Sequence, residues 1–284
     1  MSDTTRIKRD LERIVNTESP RNHLNVETLN AVANYIKKEF QKSSSKVLEQ
    51  EFEVESLIYK NIICSYGPSN AERIIIGAHY DVAGEQPGAD DNGSGVAGLL
   101  ELSRLLKNQI LKYRIDLVAY ALEEPPFFRT EQMGSYVHAK FLYDNKIPVK
   151  GMICLEMIGF FSDKENSQHY PIGLLKWFYG KYGDFITVVQ KFRSGEFARE
   201  ITQRMKESAR IKIELFKGPR FLPGVDFSDH LNYWNFGFSA VMITDTAFYR
   251  NPNYHRISDT IETLDIPKIA LVIDTLYEGL LRMD

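Results

Sequence analysis

Apolar residues recur along this chain with two periods, and the switches between them mark out its elements. From Thr5 to Val15 and from Val26 to Phe40 they fall three and four apart. In the second segment Leu29, Val32, Ala33 and Ile36 share one face, which predicts a helix. Val47–Val54 and Ile58–Ser65 are strand-like runs parted by only a few residues, which predicts an antiparallel hairpin. Ile74–Ala78, Ile115–Leu122 and Gly151–Ile158 are continuous apolar runs of the buried-strand type, and Phe238–Thr244 is the last strand. Helical segments stand between or beside them at Val96–Leu106, at Met133–Leu142 and from Ser194 to about Ser208, the last followed by Ile211–Phe216. Asp265 is placed to cap a closing helix, with Pro267 tolerated in its first turn. Strands alternating with helices predict an α/β sandwich with a mostly parallel core.

Composition narrows the setting. At 284 residues, 43% apolar and 26% charged, the chain can bury one large core, so residues 1–284 are expected to form a single domain. A net charge of −3 without a basic block gives no reason to expect nucleic acid or an anionic membrane as partner. No apolar run approaches the ~20 residues of a bilayer span. The N-terminal residues lack the apolar core of a signal peptide. Cys64 and Cys154 each lie inside an apolar run and are expected to be buried thiols. A reducing cytoplasm is the expected location. The oligomeric state leaves no trace in the sequence.

The candidate chemistry lies where apolar runs give way to polar sequence. His79 ends Ile74-Ile75-Ile76-Gly77-Ala78, and Asp81 follows two residues later. In an extended chain these two point the same way, so the carboxylate can hold the second imidazole nitrogen, as metal-bound His requires. Asp90-Asp91-Asn92-Gly93-Ser94-Gly95 precedes a helix; it reads equally as a capping loop or as a source of a carboxylate bridging two cations. Glu123-Glu124 closes a strand, and Pro125 holds Glu124 extended. The two side chains then point apart, one free to bind metal while the other faces water. Glu156 stands in an otherwise apolar run, which is costly unless it is paired or metal-bound. His255 follows Tyr254 and is a weak signal alone. His23, His138, His169 and His230 are expected to serve surface or local structural roles. Taken together, His79, a carboxylate of the Asp90-Asp91 pair, one of Glu123-Glu124, Glu156 and His255 can supply two imidazoles and three carboxylates, a set that suits zinc over manganese or cobalt.

In this order the segments Gly77-Ala78-His79-Tyr80-Asp81, Gly88–Gly95, Glu123-Glu124, Leu155–Gly159, Ser228-Asp229-His230 and Tyr254–Asp265 resemble the di-zinc aminopeptidase family, the leucyl-aminopeptidase-like metallopeptidases with glutaminyl cyclases as relatives. The similarity runs from about Arg73 to Leu264. It implies a three-layer sandwich around a mixed, mainly parallel sheet of about eight strands with helices on both faces. It implies two Zn2+ ions, one on His79 and Glu156, one on Glu124 and His255, with Asp91 bridging through a loop that holds a cis Asp91–Asn92 peptide. Asp81 would orient His79, and Glu123 would be the general base toward a water activated by the two metals. The expected activity is aminopeptidase hydrolysis of peptides. The alternatives are a mono-zinc glutaminyl-peptide cyclotransferase and a non-catalytic binding module.

Three departures bear on the substrate. Glu156 stands where many members carry Asp, and either residue binds zinc. The segment Pro125–Gln132 is longer than the usual short turn, as it also is in glutaminyl cyclases. No Tyr precedes Ser228-Asp229-His230, so the oxyanion donor is unassigned, with Tyr249, Tyr254 and Arg220 as candidate substrate-binding residues. The aromatic stretch 160–227 is expected either to pack as a peripheral segment or to wall the pocket and favour apolar or aromatic side chains.

Overall fold

The computed structural model describes residues 1–208 and 210–283. Asp3 caps the first helix, α1 (Thr4–Val15), by accepting from the amides of Thr5 and Arg6. After α2 (Val26–Gln41) the chain forms the expected hairpin of β1 (Val47–Val54) and β2 (Leu57–Tyr66). Then come β3 (Arg73–His79), α3 (Gly95–Leu106), β4 (Arg114–Tyr120), α4 (Gly134–Asp144) and β5 (Val149–Glu156). A short α5 (Lys176–Tyr179), β6 (Ile186–Lys191), α6 (Glu196–Ser208) and β7 (Ile213–Gly218) follow. The chain ends with α7 (His230–Asn235), β8 (Ala240–Thr244) and α8 (Ile266–Leu281).

The strands form one eight-stranded sheet in the order β1-β2-β4-β3-β5-β8-β6-β7. β4, β3, β5 and β8 run parallel, as do β6 and β7, while β1–β2, β2–β4 and β6–β8 are antiparallel. The sheet is therefore mixed and mainly parallel, with helices on both faces. Side chains of β3 alternate between two cores. Ile74, Ile76 and Ala78 join the larger one with residues of α1, α2, α3 and α8, and Ile75 joins Met152, Cys154 and Trp234 in the smaller. This is the period of two inside an apolar run. Cys64 lies in the larger core and Cys154 in the smaller; both are free thiols.

The topology creates the site. From β3 the chain crosses to β4 on one side; from β4 it crosses back to β5 on the other. Carboxyl ends of parallel strands at such a reversal open onto a crevice. His79 ends β3, Glu123 and Glu124 follow β4, and Glu156 ends β5.

Two elements were not legible in the sequence. β6 supplies the sheet's eighth strand, and the segment 160–227 is thereby woven into the sheet through β6 and β7 rather than lying wholly outside it. α7 places His230 in the interior. His138 and His230 are both buried, which selects the local structural role of the two expected for them. Each has a local partner, the Tyr233 hydroxyl at 2.6 Å and the Val225 carbonyl at 2.8 Å, so both are structural.

Candidate active site

The bridging loop is built before its carboxylate can be aimed. The backbone amides of Asp90 and Asp91 both donate to the Asp259 carboxylate, at 3.0 Å each. Asp90 turns inward, accepting from the Gly159 amide at 2.9 Å and the Asn251 side chain at 2.7 Å. Fully buried Arg21 donates to the carbonyls of Tyr80, Pro87 and Gly88, tying the end of β3 to the loop. Gly88 has φ +61°, and a Cβ there would strike the Asp91 carbonyl, so the turn requires glycine. The Asp91–Asn92 peptide is cis. The Asn92 side chain then accepts from the Gly95 and Met157 amides and donates to the Leu155 carbonyl, fastening the loop to β5.

This scaffold brings the predicted ligands together. His79 Nε2 lies 3.4 Å from Asp91 Oδ1 and 3.3 Å from Glu156 Oε2. His255 Nε2 lies 3.2 Å from Asp91 Oδ2 and 3.3 Å from Glu124 Oε2. Asp91 thus turns one oxygen toward each imidazole. Three donor groups result: His79–Asp91–Glu156 and Asp91–Glu124–His255, which share Asp91, and His79–Glu123–Glu124 between them. Glu123 Oε2 stands 3.9 Å from His79 Nε2. Leu122, Met157 and His255 all have positive φ (62°, 48° and 57°), so non-glycine residues hold left-handed backbone beside three site segments. Such residues concentrate at functional sites.

Asp81 has a different role from the one expected. The Nδ1 of His79 meets the main-chain carbonyl of Asp81 at 3.2 Å, while the carboxylate is 3.6 Å away. That carboxylate instead accepts from the amides of Glu123 and Glu124, at 3.1 and 3.0 Å. Asp81 therefore holds the imidazole through its backbone and the acidic pair through its side chain. A donating Nδ1–H leaves the Nε2 lone pair facing the centre, as a metal ligand needs.

The electrostatics are those of an acid cluster short of positive charge. Burial raises Glu123 well above the usual carboxylate range; His79 opposes this, and Glu124 and Glu156 add to it. Glu124 is pushed up to about 7 by burial and the Asp91 charge, and Asp229 to about 7 by burial. His255 rises to about 10, because Asp91 and Glu124 outweigh its burial. Asp91 Oδ2 and Glu124 Oε1 are buried without a hydrogen bond. Asp91 Oδ2 facing His255 Nε2, with the Glu124 and Glu156 carboxylates against the two imidazoles, is a donor set that fits divalent cations of the zinc type. A di-metal centre is the arrangement these residues support.

An open pocket leads away from Glu156. Tyr254 and Tyr249 line it, and Tyr254 stacks on His255 with ring centroids 3.9 Å apart. Arg220 does not line it; it faces an adjoining cleft and donates to Asn235 at 2.9 Å. Sequence reasoning missed Arg21, Ser228, Asp229 and Asp259 as site residues. Ser228 donates to Glu156 Oε2 at 2.6 Å. A signal existed for three of them, since Ser228 and Asp229 lie in one conspicuous motif and Asp259 in another. Arg21 had none.

Known proteins are similar to this chain in sequence and fold. The pattern of peptidase family M28 matches residues 61–279. The Escherichia coli (strain K12) protein YfbL is 46% identical over 276 residues, covering 94% of this chain and 84% of that protein. A probable leucine aminopeptidase of Trichophyton verrucosum (strain HKI 0517) is 27% identical over 254 residues; the match covers 84% of this chain but 61% of that longer protein. The fold superimposes on a glutaminyl cyclase from Bacteroides thetaiotaomicron with a TM-score of 0.76 at 20% identity, covering 100% of this chain and 99% of the other. With a di-metal donor set in the crevice and the family pattern spanning most of the sheet, the chain belongs to peptidase family M28.

Proposed function

We infer that this M28 peptidase is a zinc-dependent aminopeptidase, releasing N-terminal residues from peptides. The observation that carries the reading is the pair of donor triads joined by Asp91, with Glu123 beside them and outside the shared triads. Two divalent cations there would supply Lewis acidity toward a carbonyl and toward water. His79, Asp91, Glu124, Glu156 and His255 would hold them. Glu123 accepts a proton from the attacking water and returns it to the leaving amine. Asp81 keeps Glu123 at that position through its amide. Tyr254 borders the centre and is the better candidate donor to the carbonyl oxygen as charge develops there. Arg220 is left out of that role by its position. The two free buried thiols suit a reducing, cytoplasmic setting.

The test is hydrolysis of short peptides with a free N-terminus, the same peptides N-acetylated, and peptides beginning with Gln. Release of the first amino acid from free-amine peptides alone supports the reading. Pyroglutamyl product from the Gln peptides without chain cleavage would replace it with cyclotransfer. Glu123→Gln should retain metal and lower turnover about 100-fold or more. Turnover near that of the unaltered protein would remove Glu123 from the proton transfer.

A further inference from the structure

The pocket has walls of one kind and an end of another. Across its floor the strand register aligns Glu156 with Thr244, Thr244 with Thr187, and Thr187 with Glu214, on β5, β8, β6 and β7 in turn. Residues paired in this way point to the same face of a sheet. All four line the same pocket, which confirms their common direction. Two residues further along these strands, Met242, Val189 and Phe216 make a parallel apolar row. The floor therefore begins at a metal-ligand candidate, crosses threonines and aliphatic groups, and ends at a second carboxylate. Three strand spacings put Glu214 ~14 Å from Glu156.

The surroundings of Glu214 are aromatic. Tyr179 packs on Phe216 at 6.3 Å and stacks with Tyr170 at 6.0 Å, and all three line the pocket with it. Burial and then the Glu214 charge hold the Tyr179 phenol above its ordinary value, so the carboxylate acts on that wall. Among the described residues its ion-pair contact is Lys212 Nζ at 3.6 Å, from a lysine that is 49% exposed and also lies 3.5 Å from Asp184. An exposed pair of this sort is weak and leaves Glu214 able to take a second cation.

We propose that Glu214 is a specificity-determining residue, and that this pocket selects N-terminal lysine or arginine. The ~14 Å row leaves room for the substrate backbone near Glu156 and a long stem beyond it. The apolar floor suits the methylenes of that stem, and the aromatic faces suit the cation as well as its carbons. A purely apolar or aromatic side chain would bury Glu214 against it with only the exposed Lys212 as partner, which costs affinity. The proposal refines the expected apolar preference: the walls fit it and the far end does not. It rests on the aminopeptidase reading.

The test compares kcat/KM for lysyl-, arginyl-, norleucyl- and leucyl-anilides on the zinc-loaded enzyme and on Glu214→Gln. Norleucine matches most of the lysine stem without the charge. The intact enzyme should prefer lysyl and arginyl over norleucyl substrates. Glu214→Gln should lower kcat/KM for the cationic pair about tenfold, the scale of one charge-assisted hydrogen bond. Norleucyl and leucyl hydrolysis should be unchanged or faster, which also shows that the variant folds. A lysyl-to-norleucyl ratio that is below one, or that Glu214→Gln leaves unaltered, overturns the specificity assignment and leaves the aminopeptidase reading standing. No zinc-dependent hydrolysis of any anilide overturns both. Glu214→Lys supplies a second check, since it should suppress the cationic substrates further while sparing leucyl-anilide; equal loss on all four would mark Glu214 as structural.

Discussion

The molecule buries two groups of carboxylates and treats them in opposite ways. Between α1, α2 and α3, Asp10, Glu39 and Glu101 have side chains 0%, 7% and 0% exposed. Arg104 reaches all three, at 2.6, 3.0 and 3.0 Å, and Arg6 and Arg9 close the group from outside. Burial resists the charge of Glu39, but Lys42 and Arg104 outweigh it and hold this carboxyl below its usual range. Glu101 is lowered in the same manner, with Arg6 the leading opponent of burial. At the carboxyl end of the sheet Glu123, Glu124, Glu156 and Asp229 are as deeply buried, and these four are raised by burial; Asp91, placed between the two imidazoles, is lowered, because His255 and His79 outweigh its burial. Burial is common to both groups; a guanidinium bonded to the carboxylates is not, because buried Arg21 beside the sheet-end cluster donates to main-chain carbonyls. A buried acid cluster bonded to its own arginines is a structural joint, whereas one whose carboxylates meet only imidazoles and neutral donors has a place for cations.

Removing the metals should break this comparison most visibly. Chelation should cut hydrolysis by at least ~1,000-fold, the scale of several kcal/mol of electrophilic stabilisation, and zinc should restore it. Stability should show the same difference through its pH dependence. Glu124 binds its proton more tightly folded (about 7) than unfolded, so its contribution in the metal-free protein is complete below the ordinary carboxylate value and is lost as pH rises through about 7. His255, raised to about 10, contributes fully below its ordinary value and loses that contribution as pH climbs toward 10. Glu39 and Glu101 run the other way: their lowered values give stability above the ordinary range that is lost on acidification. The unfolding midpoint of metal-free protein should therefore fall from pH 5 to pH 8, and zinc should flatten or reverse the slope. A metal-free midpoint that rises over this range would show that the sheet-end cluster is balanced without cations.

The arginine-rich joint offers the converse experiment. Arg104→Met keeps the bulk and removes the shared charge from Asp10, Glu39 and Glu101. Leaving buried carboxylates without their partner should cost about 3 kcal/mol or somewhat more in urea unfolding. Zinc content and kcat should stay as they were. A loss below about 1 kcal/mol would mean that Arg6, Arg9 and Lys42 suffice to balance the joint.

What the sequence revealed follows the range of the interactions involved. The parallel strands were legible because β3, β4 and β5 are buried on both faces and so have nearly unbroken apolar runs. β6 was not, because its buried run includes Thr187 and Gln190, and the Gln190 side-chain amide nitrogen donates to Ala198 and Thr202 on α6, too far along the chain for a local pattern to show. The metal-ligand candidates could be picked out because a charged residue closing an apolar run stands out locally. Arg21 could not: its acceptors lie 59 and 67 residues away. The same holds for the carboxylate of Asp259, which holds an amide 168 residues distant. Asp81 was recognised as a positioning group, but its side chain's partners belong to a turn over 40 residues on, which the i, i+2 rule cannot reach.

The last difference between the two clusters lies in how their carboxylates are aimed. In the joint, charged partners do it. At the sheet end, neutral donors do: the Glu156 carboxylate accepts from Ser228 Oγ at 2.6 Å and from Asn92 Nδ2 at 3.3 Å. Ser228 is itself 0% exposed and contacts Cys154 Sγ at 3.1 Å, so it has little freedom to turn away. Such a donor leaves the carboxylate its full negative charge while fixing which oxygen faces His79, 3.3 Å away. Ser228→Ala should therefore weaken zinc at the His79–Asp91–Glu156 triad about tenfold, the lower end of what is expected for a group that orients a metal ligand. The Asp91–Glu124–His255 triad should keep its affinity, so zinc titration should change from two similar steps to two separated ones. Stability of the metal-free protein should change little, because the alanine also removes a hydroxyl beside an already raised acid. Equal weakening of both steps would show that Ser228 acts on the whole crevice rather than on Glu156, and an unchanged titration would show that Asn92 alone is enough to aim it.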